Sequence, residues 1–475
     1  MAKSWFALVV VVCLLAGVST AQLDSADKQL SRDIFQQLID INTTESVGNT
    51  TTAAQAMAKR LRDAGFPASD VVVLGPDARH GNMVARYRGT GQHPPILMIG
   101  HLDVVEARRS DWTSDPFHFI EKDGYFYGRG TQDMKSDDAI WVADFIRLKR
   151  EGYKPDRDLI LALTSDEEGG PANGVDWLIK NHRDLINAEF VLNSDGGGVN
   201  TINGKPLFIS MDGSEKLYGD YQLKATNPGG HSSLPEPDNA IYHVTDALAR
   251  LQKFQFPFEL NAVTRGYFER MATIEHGQRA ADMKAILQTP PDQAAIARLS
   301  EDPVFNATMR TTCVATRLAG GHANNALPQT ATANVNCRIL PGHSREEVRQ
   351  QLVKVFDDPK VEVRYLANDG ATLSGFAPEK LGYAPVKLRP DVMQPLEKVA
   401  AQMWPGAPVI PTMATGASDG VYTNAAGLPT FGISGIAIDM DDVRAHGKDE
   451  RLGVQSYYNG VQFYYQFLKA ITGGK

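Results

Sequence analysis

Residues 157–170 read RDLILALTSDEEGG, and this stretch decides the fold. Leu159 to Leu163 form an apolar run too short for a helix, and three consecutive acids, Asp166, Glu167 and Glu168, follow it. An unbroken apolar run reads as a strand buried on both faces, the pattern of a parallel sheet covered by helices. Like charges crowded at such a strand end repel one another and resist burial. The arrangement makes sense where the carboxyl end of the strand builds a site.

Working outward, the neighbours alternate in kind. DDAIWVADFIRLKREG (137–152) has helical periodicity, NGVDWLIKNHRDLI (173–186) a second helix, and EFVLNSDG (189–196) another strand. Upstream, NMVARYRG (82–89) and PPILMIGHLD (94–103) read as strands. Helical patterns lie at 27–41 and at 52–66, the second stopped by Gly65 and Pro67. The fold class is therefore α/β, a mostly parallel sheet with helices on both faces.

Around Ser214 the character changes. EKLYGDYQLKAT (215–226) alternates like a half-exposed strand, and a helix follows over 238–254. A polar helical stretch covers 261–309, then two strands, a helix at 344–356 and the strand VEVRYL (361–366). This order suggests a small inserted α/β sandwich serving as a lid, enlarged by the 261–309 stretch. A linker-like run from 368 to 385 leads back to helix–strand alternation from Arg389. The expected division is 1–21 signal peptide, 22–213 catalytic domain, 214–370 lid and dimerisation domain, and 371–475 the rest of the catalytic domain.

The chain has 475 residues and a net charge of −8, without the basic patch that a nucleic-acid partner needs. Its first residues, MAKSWFALVVVVCLLAGVSTAQ, carry one early lysine, an apolar core and a small-residue ending. They read as a secretory signal cleaved after Ala21, with an uncleaved anchor as the alternative. The mature protein is expected to be soluble, secreted or periplasmic, and free of membrane segments. Cys313 and Cys337 then remain, in two strand-like runs, either as a disulfide or as two buried thiols.

Chemistry-bearing residues gather at the strand ends. GHLDVV places His101 and Asp103 two apart on a strand, so that both project to one side and the carboxylate holds the second imidazole nitrogen. Asp133 stands in the turn GRGTQDMK, Glu167 and Glu168 in TSDEEGG, Asp195 in NSDGG and His446 in RAHGKDE. Oxygen and imidazole donors without thiolate favour zinc or a similar divalent ion. Two histidines and three carboxylates exceed what one catalytic zinc takes; with one carboxylate bridging, they give each of two metals three ligands. That is the arithmetic of a two-metal hydrolase with a metal-bridged hydroxide as nucleophile and a non-ligand carboxylate as base.

GHLDVV, YGRGTQDMK, TSDEEGG, NSDGG, NPGGHSS and RAHGKDE together resemble the two-zinc metallopeptidase family of aminoacylase-1, carboxypeptidase G, succinyl-diaminopimelate desuccinylase and carnosinase-type dipeptidases. The resemblance implies two zinc ions, with cobalt or manganese as substitutes, and Asp133 as the bridge. His101 and Asp195 would complete one metal, and Glu168 with His446 the other. Glu167 would be the general base, Asp103 the partner of His101, and the 133–134 peptide would be cis. From the lid, His231 would polarise the scissile carbonyl, commonly across a dimer, while Asn325 and Arg338 hold a substrate carboxylate and Gly416 lines the pocket. MKSDD departs from the family, which usually has glycine after the lysine, and the enlarged lid puts the dimer in question.

The expected substrate is a small peptide cleaved next to a free carboxylate, with N-acyl amino acids as the alternative. Both the lidless aminopeptidase type and a catalytically inactive peptide-binding homologue fit less well. The first lacks a lid between Asp195 and His446, and the second should have lost a ligand or the base. Asp166 is left without a role.

Overall fold

The computed structural model describes residues 23–474 except 171, 368–369 and 379–382. The leader read at 1–21 lies outside the described residues. Two N-terminal helices, Ser25–Ile39 and Thr50–Asp63, begin at Asp24 and Asn49, whose side chains accept the N–H groups of Asp27 and Thr52. Strands β1 (Val71–Leu74), β2 (Asn82–Tyr87), β3 (Ile96–His101), β4 (Leu159–Thr164), β5 (Phe190–Asn193), β6 (Gly198–Ile202) and β7 (Lys205–Glu215) follow.

The lid contributes β8 (Leu217–Thr226), β9 (Thr312–Gly320), β10 (Thr330–Ile339), β11 (Glu362–Leu366) and β12 (Leu373–Ser374). The chain then returns with β13 (Val409–Ala414), β14 (Thr430–Gly432) and β15 (Ala437–Asp439). The central sheet runs β1-β2-β4-β3-β5-β14-β7-β6-β15, with β13 also paired to β7. Its middle is parallel, β4 and β5 flanking β3 and β14 beside β5, while antiparallel pairs stand toward the edges.

Every residue of β3 and β4 is buried. Their alternate side chains enter different cores. Met98 and Leu161 join Trp141 and Phe145 on one face, whereas Leu97, Ile99, Ile160 and Ala162 pack with Val175 and Leu178 on the other. Both faces being covered explains the continuous apolar runs, since no strand position is left to face water.

The lid sheet runs β9-β10-β8-β11-β12 and is antiparallel throughout. Strand β8 buries alternate residues, as its sequence pattern predicts. Helices Ala240–Lys253 and Arg345–Phe356 pack on this sheet. Cys313 and Cys337 stand opposite each other in the β9–β10 register and are joined in a disulfide, which resolves the two alternatives.

Two expectations need correction. The lid sheet extends past residue 370, because Leu373–Ser374 pairs with β11 inside the expected linker. The 261–309 stretch forms four helices, Ala262–Ile274, Gly277–Ala285, Gln293–Leu299 and Pro303–Met309. They enclose a small core of Phe268, Met283, Phe305 and Met309 that closes on Ile410 of β13. This insertion therefore packs on the catalytic sheet, burying its apolar faces there rather than enlarging the lid sheet.

Candidate metal centre

Three adjacent parallel strands, β4, β3 and β5, end side by side, and the chemistry sits just beyond them. His101 is the last residue of β3, and its Nε2 lies 3.1 Å from Asp133 Oδ1. On the other side of Asp133, Oδ2 is 3.0 Å from Nε2 of His446, which is also 2.9 Å from Glu168 Oε1. Two donor groups result, His101–Asp133–Asp195 and Asp133–Glu168–His446, sharing Asp133. The cis peptide expected from the resemblance is present between Asp133 and Met134.

The Asp133 turn is held by a residue the sequence reading passed over. Glu450 is fully buried, and its carboxylate accepts from the backbone N–H groups of Gly130, Gln132 and Asp133 at 3.2, 2.7 and 3.2 Å. Arg129 closes the pair at 2.5 Å. Gln132 ties the same turn to the His446 loop: its Oε1 accepts from the backbone of Arg444 and Ala445, and its Nε2 donates to Arg451 O. Glu450 is the last residue of the motif RAHGKDE, but nothing in the motif distinguishes it from the neighbouring Asp449.

Asp103 acts differently from expectation. The strand stops at His101, so period-two geometry does not carry to Asp103. Its main-chain carbonyl accepts from His101 Nδ1 at 3.0 Å, and its carboxylate is farther, at 3.7 Å. That carboxylate instead accepts the backbone N–H groups of Glu167 and Glu168. The imidazole is thus oriented by the Asp103 carbonyl and not by its carboxylate, and the side chain fixes the two glutamates.

Glu167 makes no side-chain hydrogen bond among the described residues. Burial, and then the carboxylate of Asp195, pushes it well above the ordinary range. Asp419, beneath it at the start of helix Gly420–Ala425, accepts from Asn173 at 2.6 Å and Thr164 at 3.2 Å. Burial raises Asp419 to about 6. Nothing in the local sequence marked this acid, whose neighbours come from residues 164 and 173.

Asp166 also receives a role. It adopts a left-handed backbone (φ 58°) and its carboxylate accepts from Ala172 N at 3.1 Å. A Cβ on Gly170 would lie 2.5 Å from that carboxylate, so the second glycine of the motif is what lets the turn close.

A cavity of about 240 Å³ opens on the centre, lined by Glu167, Asp195, Glu215, Ser418 and, as expected, Gly416. His231, Asn325 and Arg338 lie on the lid, outside this lining. His231 sits in a two-residue bridge with Ala326–Leu327, and Asn325 O accepts from Ser232 N. The N–H of Ser233 donates to His231 Nδ1 at 3.2 Å, leaving the ring proton on Nε2. Arg338 stacks on Tyr218 at 4.9 Å and has no ion-pair partner among the described residues. Tyr218 in turn lines a cleft that contains Glu167 and Asp419.

The donors fit a divalent pair. Hydrogen bonding to Asp133, then to Glu168, raises His446 to about 10. For His101 burial opposes the charge, yet the Asp133 hydrogen bond and the surrounding carboxylates raise it well above its usual value. The carboxylates thus demand positive charge at the two imidazole nitrogens that a metal pair would use. Five oxygen and nitrogen donors in two groups with one shared acid match that requirement.

A family model described as peptidase family M20/M25/M40 matches residues 97–470. The chain belongs to this family. It is similar to the N-fatty-acyl-amino acid synthase/hydrolase PM20D1 of Xenopus tropicalis, at 28% identity over 79% of this chain and 72% of the relative. The M20 family metallo-carboxypeptidase Sso-CP2 of Sulfolobus solfataricus shares the fold with a TM-score of 0.67 at 16% identity, over 93% of this chain and 99% of that one. YXEP of Bacillus subtilis, described as a dinuclear metal binding peptidase of the M20 family, shares it at 0.60 and 11% identity, over 95% and 99%. As an M20 member, the protein is a metallohydrolase of peptide or N-acyl amide bonds.

Proposed function

We propose that this M20 enzyme hydrolyses the amide bond of small peptides immediately next to a free carboxylate. The observation that carries the reading is Glu167, a carboxylate without hydrogen-bond partner among the described residues, beside the two donor groups that share Asp133. When bound, a zinc pair at these donors polarises the scissile carbonyl and acidifies the attacking water. Glu167 takes the proton of that water and delivers it to the leaving nitrogen. Asp103 keeps Glu167 and Glu168 in register through their backbone N–H groups.

His231 is suited to stabilise charge developing on the carbonyl oxygen, because its Nε2 carries the proton and faces no acceptor among the described residues. Arg338, free of an ion pair among the described residues, is suited to the substrate carboxylate, and Asn325, also on the lid, to a hydrogen bond with it. For His231 to act, the lid of this chain or of a second copy must bring it to the centre. We propose a homodimer through the lid. The exposed edge strand β9, bare from Val314 to Gly320, supports this assembly.

The Cys313–Cys337 disulfide supports export after removal of residues 1–21, since such bonds persist in oxidising compartments. N-acyl amino acids are the second substrate reading, favoured by the likeness to PM20D1 and by an apolar-walled cavity described below. The test is hydrolysis, by zinc-loaded protein, of dipeptides and N-acyl amino acids against the same compounds with an amidated carboxyl end. Turnover confined to the free acids is expected. Equal turnover of acids and amides would refute the carboxylate requirement.

A further inference from the structure

A second cavity, of about 330 Å³, opens on the other side of Asp133 and Asp195, between β6, β15 and the 440–445 loop. It shares Asp133, Asp195, Gly196 and Asp212 with the cavity that contains Glu167, so both reach the same centre. Its wall is apolar: Val199, Ile436, Ile438, Met440 and Val443. Val199 and Ile436 are buried, but Met440 is 51% and Val443 63% exposed, large apolar side chains left uncovered at the mouth.

Two of the acids that line it, Asp137 and Asp212, are already engaged. Asp137 accepts from Ser434 at 2.8 Å and Tyr464 at 2.9 Å, and Asp212 from Gly197 N at 2.9 Å and Thr412 at 2.5 Å. Among the described residues no lysine, arginine or histidine lines the cavity. A substrate carboxylate would meet Asp133, Asp137, Asp195 and Asp212 there and no cation to offset them, the neutral polar groups being Gln132, Ser194, Asn200 and Ser434. The lid side, where Arg338 stands, suits it better. With the carboxylate on the lid side, the group on the carbonyl side of the amide would face the apolar wall. Gln132 ties this wall to the centre, because it holds the backbone of Arg444 and Ala445 and adjoins Asp133.

We propose that this second cavity receives an apolar group carried on the carbonyl side of the scissile amide. Resting on the amide-hydrolase reading above, it makes Ile438, Met440 and Val443 specificity determinants. Two sources share this chemistry, the acyl chain of an N-acyl amino acid and the apolar side chain of a peptide's first residue.

The test compares kcat/KM of the zinc-loaded full-length enzyme on N-acetyl-, N-butanoyl- and N-octanoyl-alanine, and on Gly-Ala, Ala-Ala and Leu-Ala. A rise of at least about ten-fold along one series is expected, since each buried methylene adds to binding. The acyl arm rising alone identifies the acyl chain as occupant, and the peptide arm rising alone identifies the side chain. Ile438→Asp and Val443→Asp should collapse the rise, while Val47→Asp, at an exposed apolar site elsewhere, should keep it. Calorimetric binding of N-acetyl- and N-octanoyl-alanine and of Gly-Ala and Leu-Ala to zinc-loaded Glu167→Gln reads the same preference without turnover. Flat series in both assays, or a rise that survives Ile438→Asp and Val443→Asp, would overturn the proposal while leaving amide hydrolysis intact. No turnover by the wild type together with tighter binding along a series would uphold the cavity and defeat the hydrolase reading.

Discussion

The carboxylate of Asp103 accepts the backbone N–H of Glu167 at 3.2 Å and that of Glu168 at 2.9 Å. One side chain thereby sets the position of both the proposed base and a candidate metal donor. Asp103→Asn keeps an acceptor for only one of the two N–H groups. The expected outcome is a fall in kcat of about 10–100-fold with two metals per chain retained. Steady-state kinetics paired with elemental analysis checks this, and wild-type kcat would refute the positioning role.

Glu450 and Arg129 form a buried ion pair, and the same carboxylate accepts three backbone N–H groups of the Asp133 turn. Removing one partner strands a buried charge and three donors. Glu450→Ala should therefore lower stability by about 3–5 kcal/mol, whereas Glu450→Gln, which keeps one acceptor, should cost less. Denaturant unfolding of the metal-free proteins measures the difference.

The disulfide between Cys313 and Cys337 closes a loop with a sequence separation of 24 inside the lid sheet. Its loss should cost about 3 kcal/mol of lid stability. Calorimetry of Cys313→Ser/Cys337→Ser should show a lower transition for the lid with metal content unchanged, because no metal donor lies on β9 or β10.

Glu346 stands at the start of the lid helix Arg345–Phe356 and accepts from Arg349 at 2.7 and 2.9 Å and from Ala377 N at 2.8 Å. The Arg349 hydrogen bond, outweighing burial, holds its carboxyl down at about 2, against an ordinary 4.5. A depressed carboxyl stabilises the fold above its unfolded value and loses that contribution as pH falls through its folded value. The stability gap between wild type and Glu346→Gln should therefore be full above about pH 5 and shrink steadily toward pH 2. A gap independent of pH would contradict the assignment.

The sheet, the lid and the five donors were legible because each rests on a local pattern. Apolar runs locate β3, β4 and β5, and the acids that follow them must stand at strand ends. Asp103 was misjudged in detail, since the strand ends two residues earlier and side-chain direction beyond it depends on the loop. Gln132 and Glu450 were not legible, because their meaning lies in hydrogen bonds between residues 318 apart in sequence. The 261–309 stretch reads as polar and helical, and neither its buried core of Phe268, Met283, Phe305 and Met309 nor the cover that Ile410 gives it was legible. The register of β9 on β10, which brings Cys313 opposite Cys337, was likewise a product of pairing rather than of either strand alone.

The central claim is that the adjacent glutamates of TSDEEGG divide their work, Glu168 holding metal and Glu167 moving the proton. Glu167→Gln tests it most directly, by kcat on the best substrate together with metal stoichiometry. The account predicts two metals per chain, as in the wild type, and a kcat lower by about 10²–10⁴-fold. A kcat within a few-fold of wild type at full metal loading would contradict it.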